Sequence, residues 1–226
     1  MSKIRFTEPN REILARRDSI INDLTRLVDP AGLITSTDEC RAYETDALTA
    51  YRKMPLAVVL PKTTEEVSAV LKYCHDTGVK VVPRGAGTSL AGGAIPSEDA
   101  VVLGLSKMNR VLAVNYDDRF IRVEAGVTNL SVTAVVAENG FFYAPDPSSQ
   151  LACTIGGNIA NNSGGAHCLK YGVTTNNLLG VRMVLIDGSI IDLGGDYLDS
   201  AGLDLLGLVV GSEGQLGIVT EATLRI

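Results

Sequence analysis

The sequence predicts an α+β chain of two lobes: a small βαβ lobe, and a larger lobe with a mainly antiparallel sheet and flanking helices. Three observations carry that expectation. An apolar run at 57–60, a capped amphipathic helix at 64–77 and a second apolar run at 79–82 form a strand–helix–strand unit. Further on, β-rich runs pair off around turn residues: 110–116 with 120–125 about Asp117-Asp118-Arg119, and 178–186 with 189–193 about Asp187-Gly188. Three glycine-rich segments, 83–93, 154–165 and 211–217, lie between these units.

Taken in order, residues 10–28 predict a helix, with Ile13, Leu14, Ile21, Leu24 and Val28 as its stripe and Asp29-Pro30 closing it. The polar stretch to Met54, including Tyr43-Glu44-Thr45-Asp46, predicts irregular structure. Residues 1–54 are thus expected to be a helical lead-in and 55–226 the main domain, with the small lobe at 55–107 and the larger at 108–226. In the helix at 64–77, Thr63 and Glu66 have capping-box spacing, Val67, Val70, Leu71 and Cys74 share a face, and Gly78 sits at a left-handed stop. A right-handed crossover makes the two flanking strands parallel, so segment 83–93 leaves a carboxyl edge, where ligands of α/β layers sit. Strands at 101–105 and 218–226 and a helix over 128–139 ending at Gly140 complete the plan.

With 226 residues and a net charge of −6, the chain lacks the basic balance that grips nucleic acid or an anionic membrane. Its start has no apolar h-region and no 18 apolar residues run together, which predicts a chain that does not span a membrane and resides in the cytoplasm. Cys40, Cys74, Cys153 and Cys168 show no CxxC pairing, so free thiols are expected, and the two histidines, His75 and His167, lack metal-ligand spacing.

The segment PRGAGTSLAGG at 83–93 reads as an anion cradle. Gly85, Gly87, Gly92 and Gly93 free the backbone to turn several N–H groups toward one point. It is not a Rossmann loop, whose third glycine would fall at Leu90, nor a Walker loop, since no lysine lies between Lys80 and Lys107. The segment TIGGNIANNSGG at 154–165 has almost no large side chains. It reads either as a slot for a flat ring, with Thr154, Asn158, Asn161, Asn162 and Ser163 as neutral donors and acceptors, or as a tight turn with a short buried helix around Ile155 and Ile159. Before it, 144–149 is a proline-fixed turn carrying Asp146 and Pro147. GSEGQLG at 211–217 offers backbone contact, with Glu213 as an acceptor for ribose hydroxyls or a main-chain amide.

Together with HCLKYGVTTNNLLGVRMVLIDG at 167–188, these ordered segments resemble the FAD-binding domain of the vanillyl-alcohol-oxidase or PCMH-type flavoenzymes, and within it the glycolate oxidase and D-lactate dehydrogenase group. The resemblance covers about 55–226. It implies FAD, with Pro83, Arg84, Gly85, Ala86, Gly87, Thr88, Ser89 and Gly92 at the pyrophosphate. It further implies Asp146, Pro147, Thr154, Gly156, Gly157, Asn158, Asn161, Ser163, Gly164 and Tyr171 along the flavin and ribityl chain, and Glu213, Gly217 and Ile218 at the adenosine side. Members with covalent flavin often carry a histidine in the glycine loop; Thr88 and Ser89 stand here, so noncovalent FAD is expected. The implied activity is oxidation of a small 2-hydroxy acid, hydride passing from C2 to flavin N5, with electrons leaving to an acceptor or partner subunit. Its alternative is a noncatalytic FAD-holding electron-transfer subunit. Family members continue into a cap domain with the substrate pocket, expected to be absent from this chain, so no catalytic residue is assigned.

Overall fold

The computed structural model describes residues 7–196 and 202–226, and their strands sort into two sheets. The helix expected over 10–28 is two, Arg11–Ala15 (α1) and Arg17–Leu24 (α2), because Arg16 leaves helical geometry at φ −95°, ψ 9° and its N–H closes back on Ile13 and Leu14. The break brings Ile13, Ile20, Leu24 and Val28 to the buried side, while Leu14 and Ile21 are only half-buried. After it come Leu33–Ile34 (β1), Thr37–Cys40 (α3), Ala57–Val59 (β2), Thr64–Thr77 (α4), Lys80–Arg84 (β3) and Ala100–Gly104 (β4).

The first sheet has the order β1-β2-β4-β3, with β2, β4 and β3 parallel and β1 antiparallel to β2. The strands flanking α4 are therefore parallel as expected, but β4 lies between them. Burial explains the insertion: all five residues of β4 are buried, whereas β3 starts at an exposed Lys80 and suits an edge. The 1–54 segment is more than a lead-in, since its β1 extends this sheet. Helix α4 is closed at both ends: Thr63 Oγ1 accepts the Glu66 N–H at 3.1 Å, the Glu66 carboxylate accepts the Lys62 N–H at 2.6 Å, and Gly78 turns left-handed at φ 73°.

Next come Val111–Asn115 (β5), Phe120–Glu124 (β6), Asn129–Val136 (α5), Ile155–Asn161 (α6), Cys168–Tyr171 (α7), Leu178–Val184 (β7), Ile190–Gly194 (β8), Leu205–Val209 (α8) and Ile218–Arg225 (β9). The second sheet is antiparallel throughout, in the order β5-β6-β9-β7-β8. The last strand in sequence takes the central place, because six of the eight residues of β9 are buried. Helix α5 runs on into a 3-10 turn and stops at Gly140, φ 80°, as expected.

One apolar core runs through both lobes, joining Val67, Val70 and Leu71 of α4 and Leu103 of β4 to Ile121 of β6, Met183 of β7 and Leu224 of β9. Two polar stitches reinforce it. Thr64 and Thr220 hydroxyls meet at 3.0 Å, and Ser68 Oγ donates to Gly188 O at 2.5 Å.

Asp99 ties the start of the chain to the first sheet. Fully buried, it accepts the Asn10 N–H at 2.9 Å and pairs with Lys80 Nζ at 2.8 Å. Burial alone would raise its pKa, but the hydrogen bonds from Lys80, Asn10 and Ser97 outweigh it and hold it at about 2. The folded value lies below the ordinary 3.8, so the stabilisation is complete above that pH and is lost as pH falls toward 2. We expect acid titration of Asp99→Asn to lose less stability than wild type between these values, by about 2 kcal/mol. Equal acid sensitivity in chemical denaturation would refute it.

Candidate functional site

The carboxyl end of β3 delivers the chain into segment 85–94, and this segment, the start of α6 and the turn before β9 converge on one crevice. The approach is close. A β-carbon placed on Gly85 would lie 2.5 Å from Thr154 Oγ1 and 3.6 Å from the Gly157 backbone. One placed on Gly214 would lie 2.8 Å from Pro83 Cγ. The crevice is walled along its length by three separate chain segments, which suits an extended ligand better than a lone phosphate.

Segment 154–165 forms the short buried helix that one reading of its sequence expected, and part of its length also lines the crevice. It forms α6 although its glycines disfavour helix, because Thr154 Oγ1 caps the Gly157 N–H at 3.3 Å and Ile155 and Ile159 are fully buried one turn apart. The two glycines divide the work. A β-carbon on Gly156 would press on Ala125 at 3.0 Å, so this glycine serves helix-to-strand packing. At Gly157 nothing but the capping hydroxyl comes within 4 Å, so bare backbone is left at the crevice wall.

Of the residues picked from sequence, Pro83 through Ser89, Thr154, Gly156, Gly157, Asn158, Asn161, Ser163, Glu213, Gly217 and Ile218 line the crevice. Gly92, Asp146, Pro147, Gly164 and Tyr171 do not line it, and each has another role or place. Gly92 makes a left-handed turn, φ 80°, facing Leu48. Asp146 turns to His167, accepting its backbone N–H at 3.1 Å and meeting Nδ1 at 2.7 Å, and Pro147 O holds the Gln150 N–H. Gly164 makes room for Cys168 and Val173, and Tyr171 packs edge-on against Phe142 at 5.6 Å. Cys168 Sγ accepts the Gly165 N–H at 2.9 Å, a packing role.

Sequence reasoning missed Leu105, Val209 and Ser212 as lining residues. Ser212 lies within a recognised glycine segment, whereas Leu105 and Val209 look like any core residue. Burial pushes the Cys153 thiol up, against a weaker opposing influence of the neighbouring Ser149 and Asn158 side chains, so it sits in the wall as a neutral thiol. Among the described residues no group of His, Cys, Asp and Glu is placed to hold a metal.

Two features bear on what the crevice accepts. Glu213 and Gly214 are consecutively left-handed, φ 54° and 77°, with Glu213 N–H donating to Ala160 O at 2.8 Å, so this turn is locked against the end of α6. Asn158 is 1% exposed and lines the crevice, and its Nδ2, though near the Cys153 thiol, makes no hydrogen bond of proper geometry. A buried amide donor left unmade costs about 1–3 kcal/mol, a cost that a bound acceptor removes. Bare amides for an anion and a waiting neutral donor on a narrow slot fit the diphosphate and the ring of FAD.

The class thus defined is a nucleotide-holding α+β scaffold whose two sheets share a crevice walled by glycine backbone. The FAD binding domain family matches residues 55–194, and the chain belongs to it, in the PCMH type its motifs resemble, with FAD as the family's cofactor. It is 49% identical over 210 residues to the glycolate oxidase subunit GlcD of Escherichia coli (strain K12), covering 93% of this chain and 42% of that protein. It is 40% identical over 210 residues to a D-lactate dehydrogenase of Archaeoglobus fulgidus, covering 92% and 46%. To a D-2-hydroxyglutarate dehydrogenase of Xanthomonas citri pv. viticola it is 37% identical, covering 92% and 44%. The chain therefore spans less than half the length of these relatives. Among solved structures, alkyldihydroxyacetonephosphate synthase superposes with a TM-score of 0.83 over 98% of this chain and 41% of that one, at 24% identity, a likeness of fold.

Proposed function

We propose that this chain is the FAD-holding portion of a 2-hydroxy-acid dehydrogenase or oxidase of the glycolate or D-lactate kind, with the cofactor bound noncovalently. The carrying observation is the convergence of three glycine segments on one crevice that contains the unpartnered amide of Asn158. Identity to a glycolate oxidase subunit, a D-lactate dehydrogenase and a D-2-hydroxyglutarate dehydrogenase supports the substrate class.

When bound, FAD supplies two-electron acceptance at its ring system. The protein's share is to hold and orient. Backbone N–H groups of 85–89 would hold the diphosphate without a lysine, with the hydroxyls of Thr88 and Ser89 beside them. Leu105, Ile159, Val209 and Val219 would exclude water from the slot, and Asn158 Nδ2 would offer the bound cofactor a donor. The substrate pocket and proton-accepting base belong, in this reading, to a cap domain of the intact enzyme. Electrons leave to an acceptor or a partner subunit, as the relative's description as a subunit suggests. Four free thiols support a reducing, cytoplasmic setting, and among the described residues no helix is long and apolar enough to cross a membrane.

The test is the visible spectrum of the purified protein before and after acid precipitation. Flavin absorbance that moves wholly to the supernatant as FAD is expected; a colourless protein that also rejects added FAD overturns the reading. Asn158→Ala adds a sharper arm. It is expected to weaken FAD binding about tenfold while leaving the melting temperature of the FAD-free protein unchanged or raised, because it removes an unmet donor. Unaltered affinity by fluorescence titration would take Asn158 out of the site.

A further inference from the structure

Arg84 stands in the glycine cradle, yet its charge faces the other way. Its Nη1 donates to Thr45 O at 2.7 Å, and the guanidinium lies over the Tyr43 ring, 5.5 Å from the centroid. The cradle itself covers the group: a β-carbon on Gly87 would fall 2.4 Å from Arg84 Nη2. The same stretch of chain clasps the loop again through Ala47 N–H to Gly87 O, 2.9 Å. Between these two contacts sits Asp46, 5% exposed, with one carboxylate oxygen accepting the Leu48 N–H at 2.8 Å and the other, Oδ2, buried without a partner. Burial draws the Arg84 pKa down, and the charge of Asp46 is among the forces that oppose this, so the two groups feel each other.

A buried carboxylate behind an anion-binding loop repels the anion it is meant to hold, unless a cation lies between them. We propose that Arg84 is a positioning residue, not a phosphate ligand: from behind the loop its guanidinium cancels the Asp46 charge and braces 43–47 against Gly87, setting the cradle's affinity for the FAD diphosphate. Residues 43–47, which lie outside the family match at 55–194, thereby become part of the cofactor site. The inference rests on the reading that 85–89 holds that diphosphate.

The experiment titrates FAD, ADP and riboflavin against the full chain and three variants, with thermal unfolding of each FAD-free protein as a check on folding. Arg84→Gln is expected to weaken FAD and ADP at least tenfold and leave riboflavin, which has no diphosphate, unchanged. Adding Asp46→Asn to Arg84→Gln is expected to return most of that loss, because the charge left exposed is gone. Arg84→Lys, which keeps a cation beside Asp46 but loses the planar fork, is expected to fall between wild type and Arg84→Gln and keeps the test alive if the glutamine variant does not fold. A double variant as weak as Arg84→Gln alone, or Arg84→Lys as weak as Arg84→Gln, overturns the inference and makes Arg84 a direct ligand. Wild type that takes up neither FAD nor ADP overturns the underlying cradle reading instead.

Discussion

Valine at position 87 is expected to empty the crevice of flavin. Gly87 holds φ +72°, a left-handed backbone that costs an L-residue about 1–2 kcal/mol and a β-branched one more. Its new β-carbon would also land on the Arg84 guanidinium, 2.4 Å from Nη2 and 2.6 Å from Cζ. The loop must either twist, which turns its amides away from the diphosphate, or expel Arg84 from Thr45 and Tyr43. Both routes damage the anion site, so we expect FAD affinity to fall by about a hundredfold or more, equivalent to about 3 kcal/mol. Gly87→Ala, with less backbone strain and a smaller group, should fall between wild type and Gly87→Val. Full flavin content in Gly87→Val, measured against protein after gel filtration, would remove this residue from the cradle.

The second large effect concerns folding. Gly126 follows β6 at the point where the second sheet passes under the link between β4 and β5. Its N–H donates to Met108 O at 2.8 Å, and a β-carbon there would stand 2.1 Å from Leu105 O and 2.6 Å from Met108 O. Those are main-chain atoms of the link that follows β4, and they cannot swing aside as a side chain does. Gly126→Ala is therefore expected to cost about 3 kcal/mol, at the upper end for overpacking, and to lower the melting temperature by about 6–12 °C. Urea denaturation decides it, and a loss under about 1 kcal/mol would show that the two segments slide apart easily.

Local features of the chain were legible in its sequence because local bonds make them. Thr63, Glu66 and Gly78 announce the two ends of α4, and Asp187-Gly188 announces the β7–β8 hairpin, each within a few residues. The alternation of apolar runs likewise gave α+β and two sheets. Strand order was not legible. Nothing local says that β4 slips between β2 and β3, or that β9 enters between β6 and β7, since those places follow from how much of each strand is buried once everything is assembled. Residues near one another in a motif also part company in space. Asp146, Gly164 and Tyr171 belong to the recognised wording, yet they pack among His167, Cys168 and Phe142 rather than along the crevice wall. The reverse holds for Arg84 and Thr45, 39 residues apart, whose contact gives the supposed lead-in a place at the cradle.

Because the same apolar interior fills the space beneath both sheets, they cannot open like jaws around their guest. A ligand then reaches the crevice by its open mouth, between walls that stay put. A protease that cuts between the sheets should leave no half able to survive alone, and heat should melt the two as one.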